Sequence, residues 1–346
     1  MSRKIQVVAL VVAALAAIAL IIIAVIAPRI AAAGWLLALN YVSLFPVGSL
    51  ILLMIHRLTG GRWGEALEPF LRPLSMATPL LLLFIVPVLV ATPALFDWQH
   101  GFHGEITHSV RLIFLNIPSF VVRDGAVLVG WSVFAYILPE ADAPSARLIA
   151  GLGLLFHGVA VTLVGYDWVL ATQPEFVSTS FGASVAFTQL LAALALAAVA
   201  ARRDRELPDL GALMLVVTLG ITYIDFMAVL VIWYGDVPAK VFWFADRIVE
   251  PWRALSIAAF ILASVIPIVL LVFARVRASR AALRFVGLCS LSGLAVYQTW
   301  LVAPAYGAEI VATAALGLLV LAAIMTSIAG AGWAQHRAYR GSVSHV

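Results

Sequence analysis

Apolar residues run through this chain in long stretches, each closed by a short segment where glycine, proline, arginine or an acid intrudes. A helix crosses the hydrocarbon core of a bilayer with about 20 consecutive apolar residues, because every backbone polar group must be satisfied within the segment. Ten stretches meet that requirement: Ile5 to Ala27, Gly34 to Ile55, Leu74 to Phe96, Ile117 to Leu138, Arg147 to Leu170, Phe181 to Ala201, Leu210 to Trp233, Ala254 to Phe273, Ala281 to Val302 and Ala308 to Ala331. The pattern therefore predicts an all-α integral membrane protein of ten transmembrane helices. The first run is longer than the apolar region of about 7–15 residues in a cleaved signal peptide, so it is expected to be a retained helix. Pro46, Pro79, Pro87 and Pro267 fall inside spans two, three and eight and mark places where those helices are interrupted.

Composition agrees with the pattern. Hydrophobic residues make up 64% of the 346 residues and charged ones 11%, against about 25% charged in a soluble domain. The net charge of +4 does not mark a nucleic-acid binder, because the basic residues are scattered among short segments between apolar runs. They report orientation. With the N-terminus inside, fifteen of the 21 Lys and Arg fall in cytoplasmic segments, five fall outside (Arg29, Arg111, Lys240, Arg247 and Arg253), and Arg123 lies within a span. Both termini are thus expected in the cytoplasm. The single cysteine, Cys289, has no partner for a disulfide and no companions for a thiolate cluster.

Between spans seven and eight the chain reads WYGDVPAKVFWFADRIVEPW, from Trp233 to Trp252. On a helical wheel Val241, Phe242, Phe244, Ala245, Ile248 and Val249 share one side, and Lys240, Asp246, Arg247 and Glu250 the other. That predicts a short helix lying in the membrane interface. Trp233, Tyr234 and Trp252 sit where an aromatic belt is expected.

Candidate chemistry is sparse. Of the seven histidines only His157 falls inside a predicted span, which does not supply the facing axial pair that a transmembrane b-type haem needs. His100, His103 and His108 gather with Asp97 and Glu105 in one external loop, in a spacing that matches no metal motif; a solvated loop is the expectation. HRLTGGRWG, from His56, lacks the Gly-Lys-Ser/Thr ending of a phosphate loop and reads as a tight cytoplasmic turn at Gly60 and Gly61. Ionisable groups at membrane depth carry more information, since they are costly there and usually face a bundle interior or a hydrated cavity. Arg123 and Asp124 lie in span four, Asp167 closes span five, and Asp225 lies in span seven. All are in the outer half, and Arg123 and Asp124 leave their helix about 100° apart, so at least one must find a partner elsewhere. One polar cluster of Arg123, Asp124, Asp167 and Asp225, extended toward the centre by His157, is expected to form a proton path, a quinone-headgroup site or a set of structural ion pairs. His157 also stands in a run where Gly151, Gly158 and Gly165 recur every seven residues, a stripe that invites close helix packing. Gln189 and Gln298 are further polar residues within spans.

Four blocks carry a resemblance: HRLTGGRWGEALEPFLRPL from His56, FLNIPSFVVRDG from Phe114, GYDWVLATQPEFVSTSFG from Gly165, and VIWYGDVPAKVFWF from Val231. In this order they resemble ActF, a polytopic membrane subunit of alternative complex III, a quinol:cytochrome c oxidoreductase, within the NrfD-like family. The resemblance implies two four-helix bundles, residues 34–170 and 181–302, with flanking helices at 5–27 and 308–331, in a single polytopic domain. It implies a bacterial inner-membrane respiratory subunit, non-catalytic alone; joined to the residue reading, this gives a scaffold without its own redox cofactor, with proton conduction as one use of the polar cluster. The implied partners are a second NrfD-like membrane subunit, a periplasmic iron–sulfur subunit and cytochrome c subunits, the haem c and iron–sulfur clusters residing in those partners, with quinol as the reductant. The alternatives are a quinol-binding subunit of another NrfD-like complex and a secondary transporter.

Overall fold

A computed structural model describes residues 3–99, 113–201, 207–235 and 237–343. The described chain is predominantly helical, with no strand among the described residues, and it holds ten helical segments long and apolar enough to cross a membrane, two of them, Arg62–Val90 and Trp252–Leu271, made of shorter helices joined end to end. This is a multi-pass membrane protein. The helices are α1 (Arg3–Ile26), α2 (Pro28–Thr59), α3 (Arg62–Ser75), α4 (Leu80–Phe84), α5 (Val86–Val90), α6 (Thr92–Leu95), α7 (Ile117–Ile137), α8 (Ala143–Trp168) and α9 (Phe181–Ala200). They continue with α10 (Leu207–Tyr234), α11 (Pro238–Ala245), α12 (Trp252–Phe260), α13 (Ile266–Leu271), α14 (Ala274–Arg277), α15 (Arg280–Val302) and α16 (Ile310–Val343).

Two helices organise the rest. The most apolar window of α2 is 89% buried, and the helix touches α1, α3, α8, α9 and α16. A helix apolar on all sides must be surrounded, and α2 is surrounded by protein. Helix α9 packs on α2 and also meets α8, α10 and α15. Their crossing is close because Gly48 has no side chain: a Cβ there would collide with the backbone carbonyl of Gln189. In contrast, α1 leaves its Val, Leu and Ile side chains outward, as a lipid-facing helix does.

The third predicted span, Leu74 to Phe96, is not one helix. Pro79, Pro87 and Pro93 each remove a backbone donor and crowd the preceding turn, so the run is divided into α4, α5 and α6. Nearby threonines bond carbonyls of this broken stretch: Thr78 Oγ1 donates to Ser75 O at 2.5 Å, and Thr92 Oγ1 to Val88 O at 3.0 Å. Ahead of it lies an element that the hydropathy pattern merges with a loop, the amphipathic α3. Its buried stripe, Gly64, Leu67, Leu71 and Ser75, repeats every three or four residues, while Glu68 and Arg72 pair with Arg57 and Glu140.

Gly60 and Gly61 form the turn between α2 and α3 with φ of 68° and 99°, where a side chain would be strained. His56, placed by the pattern just beyond span two, is instead inside α2, whose helix runs on to Thr59, and is buried against the Trp63 ring at 5.3 Å. Pro46 is accommodated within an unbroken α2, whereas Pro267 stands just beyond a widened π-helical turn, Ile261–Val265, which joins α12 to α13. The glycine stripe on α8 does not work as expected. A Cβ at Gly151 or Gly158 would meet open space, and the glycine that admits a neighbour is Gly153, beneath the Met54 side chain. Gly165 alone of the three meets another helix, with Phe181 at 3.1 Å.

Candidate functional site

The first polar centre is built by the start of α7 and the end of α8. Asn116 caps α7, its Oδ1 accepting from Ser119 N at 2.8 Å, and Pro118 occupies the first turn, where a missing N–H does no harm. This fixes the rotation of α7 so that Arg123 faces α8. Its guanidinium grips Asp167 with two parallel bonds, Nε to Oδ2 at 2.9 Å and Nη2 to Oδ1 at 2.7 Å. The remaining donor, Nη1, reaches Phe114 O at 2.8 Å and Ser119 Oγ at 2.7 Å, and the group lies 3.7 Å from the centroid of the Phe114 ring. Asp167 is fully buried.

One residue further along each helix, Trp168 Nε1 donates to Asp124 Oδ2 at 2.9 Å. Consecutive residues of α7 thus meet consecutive residues of α8. Asp124 is 1% exposed, and its other oxygen, Oδ1, has no hydrogen-bond partner among the described residues. Toward the other end of the same helix pair stands Trp131, seven residues or about 10 Å beyond Asp124 on the same face of α7. Its ring lies 5.8 Å from that of His157 on α8. Trp131 Nε1 and both nitrogens of His157 are buried and lack a partner among the described residues, and the same holds for Ser49 Oγ on the adjoining α2.

The second centre is separate. Asp225 on α10 accepts from Ser184 Oγ of α9 at 2.7 Å, and the Tyr297 hydroxyl of α15 is 3.3 Å from that serine oxygen. No hydrogen bond or ion pair among the described residues joins Asp225 to Arg123, Asp124 or Asp167. The expected single cluster therefore divides between two groups of helices. Asp225 borders a cavity of about 320 Å³ between α10, α12, the π-turn and α15, whose lining combines eight aromatic side chains with aliphatic and small residues.

The loop from Trp233 to Trp252 covers one side of this cavity with Trp243 and Phe244. Trp243 stacks on Phe176 with centroids 4.5 Å apart and planes at 15°. Trp233 and Tyr234 are exposed at 80% and 89%, as membrane-interface rings would be. The helical-wheel assignment fails at Arg247, which is 1% exposed instead of solvated, while Val241, Ile248 and Val249 point outward. The regular helix ends at Ala245, so a wheel continued past that residue misplaces the positions after it. Arg247 lies 3.6 Å from the centroid of Trp243 and donates to Gln173 Oε1 at 2.8 Å, Trp243 O at 2.9 Å and Leu301 O at 2.9 Å. Burial pushes this guanidinium down to about 9, with Asp246 opposing the shift. Nothing in the residue pattern distinguishes Arg247 from a surface arginine, or its partner Gln173, 74 positions earlier, from any loop glutamine.

Gln189 and Gln298 are buried, each with an Oε1 that has no partner among the described residues. Asp97 pairs with Arg29 at 3.1 Å. His100, His103, His108 and Glu105 lie outside the described residues. Among the described residues no group of three His, Cys, Asp or Glu side chains is placed to hold a metal ion. No protein-family model and no curated protein matches this chain.

Proposed function

We propose that this chain is the proton-conducting membrane subunit of a respiratory quinol:cytochrome c, or similar acceptor, oxidoreductase. One observation supports the proton role above the others: the buried line from Asp124 Oδ1 past Trp131 Nε1 to both nitrogens of His157, none with a partner among the described residues. A buried polar atom without a partner costs on the order of 1–3 kcal/mol, and protein interiors ordinarily satisfy such atoms, water included. Water bridging these atoms joins a carboxyl group to an imidazole, the two side-chain types best suited to accept and release protons between fixed positions. Arg123 and Asp167 stand at the mouth of that line, and their twofold bond holds α7 against α8. On this reading the pair is structural and positions Asp124.

The assembly rests on the four ordered sequence blocks. Under it, residues 34–170 and 181–302 form two four-helix bundles, with α1 and α16 flanking them and both termini in the cytoplasm of a bacterium. Beside the chain stand a second NrfD-like subunit, a periplasmic iron–sulfur subunit and cytochrome c subunits, whose clusters and haems carry the electrons delivered by quinol. Mild solubilisation of native membranes followed by mass spectrometry tests the assembly: haem c and iron–sulfur proteins co-purify. A homo-oligomer without them would favour a secondary transporter and overturn the reading. In the purified complex, Asp124→Asn and His157→Ala are expected to lower protons released per quinol oxidised while the complex still assembles. Full proton release in both variants would exclude the conduit.

A further inference from the structure

The cavity beside Asp225 plays no part in the proton line, and its lining is specific enough to say what it would hold. Its volume, about 320 Å³, is at the lower end of ordinary small-molecule pockets, which run from about 300 to 1,000 Å³. Among the described residues only one carboxylate lines it, and no Lys, Arg or His does. That carboxylate accepts from the Ser184 hydroxyl, which the Tyr297 hydroxyl approaches in turn at 3.3 Å, and neither group brings a positive charge. Eight of the lining residues are aromatic, Trp243, Tyr297 and Trp300 among them. Tyr297 and Trp300 stack at 6.0 Å and 21°, and Phe176 and Trp243 at 4.5 Å and 15°. Ring faces attract cations, and these do so within the molecule already: the guanidinium of Arg247 sits 3.6 Å from the Trp243 centroid and 5.8 Å from that of Trp300. Its own charge is directed at the carbonyls of Trp243 and Leu301 and at Gln173.

Two further features suit a ligand that arrives from the bilayer. Phe226 and Phe260, which border the cavity, are outward-exposed on helices long and apolar enough to span the membrane. The lining also includes Ala263 and Ser264 of the π-turn, an irregularity found often at functional sites. The geometry points to a binding site for a lipophilic organic cation, a quaternary ammonium or phosphonium type, its charge held by Asp225 and its apolar groups by the aromatic walls. With Asp225 ionised, a lipophilic anion would be repelled, and a neutral ring compound would gain nothing from the charge. This inference does not depend on the respiratory reading, since it concerns other helices and other residues.

Binding of tetraphenylphosphonium to the full chain in lipid nanodiscs tests it, with tryptophan fluorescence and a radiolabelled probe as readouts. Saturable binding at one site is expected, weakened at least about tenfold by Asp225→Asn, the scale for removing one member of a buried charge pair. Asp225→Glu should retain binding. Val229→Trp, at the exposed rim, should block entry without disturbing the acid, so a folding defect in the asparagine variant leaves the test decisive. Absence of saturable binding in the unmodified chain would overturn the proposal. Undiminished affinity in both Asp225→Asn and Val229→Trp would do the same, as would equal affinity for neutral triphenylphosphine oxide.

Discussion

Two arginines buried in this protein solve the same problem differently. Arg123 is matched by a carboxylate, and removing either partner leaves a charge in a place where it is expensive. Asp167→Leu or Arg123→Met alone is expected to destabilise the chain by about 3–5 kcal/mol, whereas the double change Arg123→Met with Asp167→Leu should recover most of that loss. Thermal midpoints of the four proteins in one detergent form the cycle that checks it. Arg247 has no carboxylate bonded to it among the described residues and relies on three oxygen acceptors and an indole face. Arg247→Met should cost about 3 kcal/mol at neutral pH, because it strips the donor from Gln173 and two carbonyls. Folding lowers this group from its ordinary value to about 9, so between the two the unfolded chain binds the proton more readily. The ionisation-linked part of its contribution is therefore complete above the ordinary value and lost as pH falls through about 9, on top of the hydrogen bonds that the methionine variant removes at every pH. The gap in thermal midpoint between the unmodified protein and Arg247→Met is expected to widen from about pH 8 to about pH 10; a constant gap would show that the guanidinium keeps its proton throughout.

At the scale of helices, glycine is informative only where another backbone arrives. Gly48 lies at the α2–α9 crossing, and Gly48→Val must push Gln189 away, so the variant is expected to lose several degrees of thermal stability or fail to accumulate. Gly151→Ala and Gly158→Ala, facing open space, should be neutral or stabilising by up to about 1 kcal/mol, the helix propensity difference. Measuring all three in parallel separates close packing from mere small-residue periodicity. The sevenfold recurrence on α8 does not make that distinction, because periodicity says which residues share a face and not whether the face meets protein or lipid. Span three shows the converse case. The proline positions are plain in the sequence, and they do break the helix, but the amphipathic α3 ahead of them reads as a loop because its mixed charges mask a stripe of only four buried positions.

For the whole molecule, the proposed orientation follows from two properties of the chain: ten spans would put both termini on one face, and the arginine distribution favours the cytoplasm for that face. Reporter fusions at Val346 and in the Gly235 loop should therefore read opposite sides, with the C-terminal fusion active only inside. The ten spans and the ionisable residues at depth were legible from composition alone, since hydropathy is a local, additive property and charge within an apolar run needs no context to be noticed. What only the tertiary structure decided is which way each helix is turned about its axis. Helices such as α9 and α10 are apolar nearly all round, so their sequences carry little information about rotation, and packing sets it. That rotation joined Arg123 to Asp167, sent Asp225 to a different centre with Ser184 and Tyr297, and drew Arg247 in from the surface to the face of Trp243.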